Sequence, residues 1–499
     1  MKNYRLLMLT TLIISGCSIV YELIISAVSS YLVGDTTLQY SITIGIYMCA
    51  MGFGSFISKY MKKDLFNWFV MVEIGVGIVG GLSSLTLFLA NLYLETYQLI
   101  MYIEIVIIGT FVGVEIPLLT RIIEGDRKDL RVTLSSIFSF DYLGGLLGSI
   151  AFPLLLLPTL GYFATAFLAG TFNLICATLI VWRYKDRIEN AAFFKLLTGL
   201  LLVIMIIGMV FSENISNYIE GGLYRDNIIL SEQTKYQKIV MTKHKDDLRL
   251  YIDGNVQFSS ADEYRYHEAL IHIPMMQAKN RDEVLVLGGG DGLAARELLK
   301  YPETHITLID LDEEMTRLCS EDPQISALNC GALKSDRVNI INMDAYTYLT
   351  DCDKKYDVII VDLPDPNNTT LNKLYSNVFY RLCGNALKDD GVINVQSTSP
   401  YYATKAFWCI NKTIESEGFN VKPYHLEVPA FGDWGFNMAS KRELRDDYEI
   451  EVDTKYLTKD NIHSLFMFGK DEVDETVAVN ELTHPMLIEY YNDAVRNWN

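Results

Sequence analysis

Apolar residues in the first part of the chain come in long unbroken runs rather than in alternation. Runs near 6–32, 38–58, 69–90, 97–119, 132–157, 162–182 and 193–211 have about the 20 residues a helix needs to cross a bilayer. Lipid offers the backbone no hydrogen-bond partner, so helices are the form these runs predict. Beyond residue 222 the pattern changes to short apolar stretches punctuated by glycine and acidic residues. Tyr236–Thr242 and Leu248–Ile252 read as strands, with Asp253-Gly254-Asn255 as a hairpin turn. A helix over Asp262–Ile273 follows, with Pro274 as its stop. Apolar strands then alternate with helices: Glu283–Leu287, the helix Leu293–Lys300, His305–Ile309, Val338–Asn342, Tyr356–Val361 and Gly391–Gln396. Such alternation predicts a parallel sheet covered on both faces.

The expected architecture is therefore a multi-span α-helical membrane domain at 1–211, with six or seven spans, joined by a polar linker at 212–222 to a second part. That part holds a small β subdomain with its connecting helix (223–275) and an α/β Rossmann-like, class I methyltransferase-like domain (276–445). Residues 446–499 form a C-terminal extension.

Charge separates the halves further. Residues 1–211 carry 13 basic and 13 acidic residues, so the whole formal charge of −19 falls in 212–499. An acidic domain repels phosphate, which excludes nucleic acid as a partner and suits a cationic substrate. In the first half Lys2, Arg5, Lys59, Lys62, Lys63, Arg121, Arg127, Lys128, Arg131, Arg183, Lys185 and Arg187 fall on one side if each run crosses once. The other side carries Asp35 and Glu95, so the basic side is expected to be cytoplasmic. Seven crossings would put the second half outside. A cytoplasmic catalytic half, which its unpaired-looking cysteines also favour, therefore needs 193–211 to dip or lie along the interface. Ile14-Ser15-Gly16-Cys17 looks like a lipoprotein cleavage site, but the apolar run continues past it and predicts an uncleaved helix. Glu22, Glu73, Glu104, Glu115 and Asp141 inside the runs either line a path for cations or hydrogen-bond between helices beside Gly144, Gly145 and Gly148. The eight cysteines show no C-x-x-C pair, so neither a disulfide framework nor a metal site is expected.

The chemistry concentrates where strands end. Gly288–Gly292, Asp310, Asp344 and Asp362 all follow predicted strands, the edge where ligands sit in open α/β sheets. Bare backbone at Gly288 and Gly290 admits a nucleoside closely. An acid after the second strand suits ribose hydroxyls, and Asp344 suits an adenine amino group. In series these indicate an S-adenosyl-type co-substrate. Asp362-Leu363-Pro364-Asp365-Pro366 sets two acids three apart on a proline-fixed turn, built to hold a cation and accept its proton.

With Tyr236-Gln237, Asp262-Glu263-Tyr264-Arg265-Tyr266-His267-Glu268, Gly288–Gly292, Asp310-Leu311-Asp312, Asp344-Ala345 and Asp362–Pro366 in place, the chain resembles the spermidine synthase family of aminopropyltransferases, in its membrane-fused bacterial form. The resemblance implies that Gln237, Gly288, Gly290, Asp310, Asp344 and Ala345 hold decarboxylated S-adenosylmethionine as co-substrate. It implies that Tyr266, His267, Asp291 and Asp365 bind the amine and that Asp362 accepts its proton. Transfer of an aminopropyl group to putrescine would give spermidine and 5′-methylthioadenosine, without a metal. Soluble members commonly form oligomers, so a homo-oligomer in the cell membrane is the expected assembly. Three departures stand out: Leu363-Pro364 between the paired aspartates, Asp310 in place of a glutamate, and Pro429–Trp434 in place of a tyrosine-bearing loop. Two other functions share these features: a membrane-tethered S-adenosylmethionine methyltransferase, and a non-catalytic polyamine-binding or transport protein.

Overall fold

A computed structural model describes residues 5–498 except 34, 35, 95, 96, 128 and 225. Lys2, Asp35, Glu95 and Lys128, which enter the charge reading, lie outside the described residues. The chain divides into two compact units, Met1–Ile228 and Ile229–Asn499.

The first unit is a helical bundle: α1 (Arg5–Val33), α2 (Thr36–Ile57), α3 (Leu65–Tyr93), α4 (Tyr97–Arg127), α5 (Leu130–Ala151), α6 (Leu157–Arg183), α7 (Ala191–Val210) and α8 (Ser212–Leu223). Six continuous helical stretches are long and apolar enough to cross a membrane. One of them, Leu130–Arg183, has 54 residues. At 1.5 Å per residue that is about 80 Å, far more than one crossing requires. It breaks at Gly161 (φ 70°, ψ −174°), within the first turns of α6, so the continuous stretch is kinked there.

Small residues let these helices touch. A Cβ on Gly144 would meet the Leu12 carbonyl oxygen at 2.1 Å, and one on Gly148 would meet that of Gly16 at 2.4 Å, so α1 and α5 pack backbone to backbone. Glu73 is fully buried and accepts from Asn173 Nδ2 at 3.0 Å; Asn173 Oδ1 accepts from Tyr21 Oη at 3.1 Å. This chain ties α3, α6 and α1 together.

One expectation changes here. The stretch expected as a linker is α8, because Ile215 and Ile219, one turn apart, give it an apolar stripe that lines a small cavity with Leu85 and Leu89. Residues 193–210 lie within α7. Asn67, near the start of α3, exchanges hydrogen bonds with Glu189, just before α7. Further along, Gly81 lies against Met205, and Gly222 reaches Leu92 near the end of α3. The chain from Glu189 to Gly222, through α7 and into α8, therefore meets α3 near its start, middle and end.

The second unit opens with β1 (Asn227–Gln233), β2 (Lys238–His244), β3 (Asp247–Ile252) and β4 (Asn255–Ser259), an antiparallel sheet of four strands rather than the two read from sequence. Asp253 (φ 47°) and Gly254 (φ 82°) make the expected tight turn. The following helix, α9 (Glu263–Gln277), passes through Pro274 instead of stopping there. The carbonyl that proline leaves without an intrahelical donor, Leu270, accepts from Asn394 Nδ2 at 2.8 Å.

There follow β5 (Glu283–Gly288), α10 (Leu293–Leu298), β6 (His305–Asp310), α11 (Glu313–Glu321), α12 (Pro323–Leu328), β7 (Val338–Asn342), α13 (Ala345–Thr350), β8 (Tyr356–Asp362), α14 (Thr369–Asn372), α15 (Asn377–Ala386), β9 (Leu387–Gln396), α16 (Thr404–Glu415), β10 (Asn420–Val428), β11 (Gly432–Ser440) and α17 (Met486–Trp498). The seven-stranded sheet runs β10-β11-β9-β8-β5-β6-β7. Strands β5 to β9 are parallel, while β10 and β11 add an antiparallel edge that the parallel reading did not include. From β5 the chain winds outward through β6 and β7 on one side, then returns to β8 on the other. The switch point therefore lies between β5 and β8, where a Rossmann-like sheet opens a crevice at its carboxyl edge.

Candidate active site

Strand register brings the acids together. Gly288 pairs with Asp362 and Asp310 with Asn342, so the strand ends from β7 to β8 line one edge. Gly288 has φ 85°, and a Cβ there would sit 2.0 Å from the Asp362 carbonyl oxygen, so only glycine lets β5 turn so close to β8. The loop is clamped from its other side: Asp310 Oδ2 accepts from the Gly290 N–H at 3.1 Å and its Oδ1 from Asp312 N at 2.9 Å.

The first turns of α9 lie across this edge. Tyr266 Oη donates to Asp362 Oδ1 at 2.5 Å. His267 is buried, with Nδ1 2.9 Å from Glu263 Oε2, and Glu263 is gripped by Arg296 through two contacts of 2.8 and 2.9 Å. Burial opposes charge on His267, but Glu263 outweighs it and lifts the imidazole to about 9. Burial likewise works against ionised Glu263, and His267 with Arg296 overcomes it, holding that carboxyl at about 2. The histidine is therefore a cation at neutral pH.

The acids around it are shifted the other way. Burial raises Asp291, although His267 and the Leu293 N–H, which donates to it at 2.8 Å, partly offset this. Burial lifts Asp362 to about 6, with His267 and Tyr266 opposing and Asp291 reinforcing. Asp365 also reaches about 6 through burial, against hydrogen bonds from Tyr491, Gln396 and Thr398. Asp310 stands at about 6 for the same first reason. Asp291 and Asp362 face the imidazolium, and with the desolvated Asp310 and Asp365 along the same edge the site carries an excess of negative charge suited to cations.

Of the residues singled out from sequence, Tyr266, His267, Gly288, Gly290, Asp291, Asp310, Asp362 and Asp365 gather at this edge. Gln237 lies in the turn before β2, not in a strand; Thr234 N donates to its carbonyl at 2.9 Å. Thr234 Oγ1 also donates to Asp312 Oδ2 at 2.7 Å, which fastens that turn to the loop after Asp310. Asp344 caps α13, accepting from Thr347 N at 2.9 Å and from Lys373 Nζ at 2.8 Å. Burial works against its charge, but Lys373 and Thr347 hold it below the ordinary carboxylate range. Ala345 is buried in the first turn of α13.

Sequence reasoning missed Glu263 as the partner that charges His267, and Arg296 as the cation that keeps Glu263 ionised, although the Glu263–His267 spacing of four on a helix was a usable signal. It also missed Tyr375, Gln396 and Tyr491, which reach the Asp362–Pro366 turn from distant segments. Among the described residues one trio, His425, Asp433 and Glu472, presents possible metal-ligand atoms within 4.8 Å. His425 there is already engaged by Asp433 at 2.7 Å and the Met467 carbonyl at 2.7 Å.

Residues 263–451 match the family described as Spermine/spermidine synthase domain, so the second unit is a Rossmann-like transferase of that class. The resemblance extends over the whole chain. It is 40% identical to the polyamine aminopropyltransferase of Leptospira interrogans, covering 99% of this chain and 98% of that one, and 40% identical to that of Oceanobacillus iheyensis, covering 97% and 96%. This chain belongs to the polyamine aminopropyltransferase family and is a transferase. Among solved structures, a spermidine synthase in complex with the transition state analogue AdoDATO is 26% identical, with a TM-score of 0.46 over 49% of this chain and 88% of that one. The spermidine synthase of Thermotoga maritima is also 26% identical, with a TM-score of 0.45 over 49% and 87%.

Proposed function

We propose that this chain moves the aminopropyl group of decarboxylated S-adenosylmethionine to a diamine, with putrescine giving spermidine and 5′-methylthioadenosine. The observation that carries the reading is the convergence of Asp362, Asp291 and Asp365 on one desolvated edge, with Tyr266 and a charged His267 between α9 and the strand ends. Both reactants are cations, so they repel each other in the absence of an acidic host.

In this reading Asp362 takes a proton from the acceptor ammonium and frees its lone pair. The nitrogen then attacks the methylene carbon next to the sulfonium. The C–N bond forms as the C–S bond breaks, and the electron pair leaves with sulfur as a neutral thioether. One proton is released for each transfer. A carboxyl lifted from near 4 to about 6 is a base stronger by about two powers of ten, which favours that role. Asp365 anchors the far amine, Asp291 the aminopropyl ammonium, and Asp310 the ribose. Asp291 beside the glycine loop attracts an ammonium and repels a carboxylate, which favours the decarboxylated donor over S-adenosylmethionine. Gln237 and Ala345 border the nucleoside, while Asp344 acts chiefly by fixing the start of α13. We further read the first unit as a multi-pass membrane domain, supported by its six apolar helical stretches.

The test is release of methylthioadenosine by purified full-length protein given decarboxylated S-adenosylmethionine and putrescine. Asp362→Asn should cut kcat by roughly 10²–10⁴-fold while donor binding persists. Methyl transfer from intact S-adenosylmethionine, with no methylthioadenosine from any amine, would sink the proposal.

A further inference from the structure

The family-matching stretch ends at residue 451, yet the chain beyond it returns to the site. Tyr491, in the middle of α17, donates through Oη to Asp365 Oδ2 at 3.0 Å. Thr398 Oγ1 and Gln396 Nε2 complete the shell of that carboxylate at 3.3 and 3.4 Å.

A second tie runs through Asn480, which is fully buried. Its Nδ2 donates to the Tyr375 carbonyl at 3.0 Å, its Oδ1 accepts from Leu487 N at 3.2 Å, and its own N–H donates to Thr413 Oγ1 at 2.9 Å. Tyr375 in turn donates through its hydroxyl to the carbonyls of Leu363 and Pro364 at 3.2 and 3.0 Å, and receives Gln396 Nε2 at 2.6 Å. The segment from Asn480 to Tyr491 thus holds both ends of the Leu363–Asp365 turn. Tyr491 reaches the carboxylate itself, and Asn480 reaches the backbone through Tyr375.

On the aminopropyl-transfer reading, Asp362 and Asp365 take the two ends of the acceptor amine. The distance between them then measures its length. Asp362 is fixed from α9 by Tyr266, and Asp365 is fixed from α17 by Tyr491. We propose that α17 forms the far wall of the acceptor pocket and that Tyr491 is the positioning residue that sets which diamine length is accepted.

The experiment uses full-length protein and three probes: 1,3-diaminopropane, 1,4-diaminobutane and 1,5-diaminopentane. Each is followed by calorimetric binding and by methylthioadenosine release. Tyr491→Phe removes one hydrogen bond to a charged group, so affinity and KM for the preferred diamine should weaken ~10-fold. In the same variant kcat should stay within about 3-fold and the donor KM should not move. Tyr491→Ala opens the wall and should raise the kcat/KM ratio of the five-carbon to the four-carbon diamine by ~10-fold. Unchanged amine ratios in both variants, or an effect confined to the donor KM, would overturn the proposal. If Tyr491→Ala does not fold, the affinities of Tyr491→Phe decide. Absence of methylthioadenosine release by the wild-type protein would refute aminopropyl transfer instead, and the calorimetric amine affinities would still decide the role of Tyr491.

Discussion

Asp362 and His267 show how neighbours set the chemistry of a single side chain. Removed from water, each would lose its charge; His267 keeps its charge because Glu263, itself held ionised by Arg296, stands behind it, and Asp362 stays only partly shifted because His267 stands before it. A pH profile follows. Asp362, Asp365 and Asp310 all stand at about 6, and each must be ionised to act as proposed. Below that value their protonated forms accumulate, so kcat/KM should fall as pH drops through about 6, more steeply than tenfold per unit because several protons are bound. A limb centred near pH 4, the value of an unperturbed carboxylate, would contradict the desolvated geometry. The residue types at these positions were legible in the sequence because acids at strand ends stand out. Their protonation behaviour was not, since it depends on pairs 33 and 96 residues apart, Glu263 with Arg296 and Asp362 with Tyr266.

Among the elements, the β5–α10 loop and α9 act as a pair, one approaching the β8 end from beside it and the other from across the edge. The glycine at the end of β5 is the sensitive position. Gly288→Ala places a methyl group 2.0 Å from the Asp362 carbonyl oxygen at φ 85°, so the loop or the Asp362 backbone must shift. A displacement of about 1 Å at a catalytic group costs roughly 10²-fold in rate, and kcat of this variant should fall by at least that order. Near wild-type turnover would show that Asp362 does not depend on its β5 neighbour. Helix α9 also explains why Pro274 misled the sequence reading. A proline normally ends a helix by orphaning a carbonyl, and here Asn394 on β9 satisfies that carbonyl from outside. At α8 the sequence reading followed polarity and took a linker, whereas the Ile215–Ile219 stripe, needing a surface to cover it, found one on α3.

For the whole molecule, the proposed membrane domain makes the side of the catalytic unit a testable property. On the proposal that each of α1 to α7 crosses the membrane once, the chain leaves α7 on the side opposite Arg5, Lys59 and Arg183. A membrane-impermeant maleimide should therefore label the exposed Cys330 in intact cells. Labelling only after lysis would mean an even number of crossings. By itself the sequence determined the apolar helices, the alternating strands, the charge division and the acids at the strand ends, because periodicity and composition are local properties that a helix or strand expresses directly. Only the tertiary structure decided that β10 and β11 run antiparallel, that α9 continues through Pro274, that His267 is held as a cation, and that Tyr491 closes on Asp365. Each of these depends on contacts between segments far apart in the chain, and no local pattern encodes which distant surface a side chain will meet.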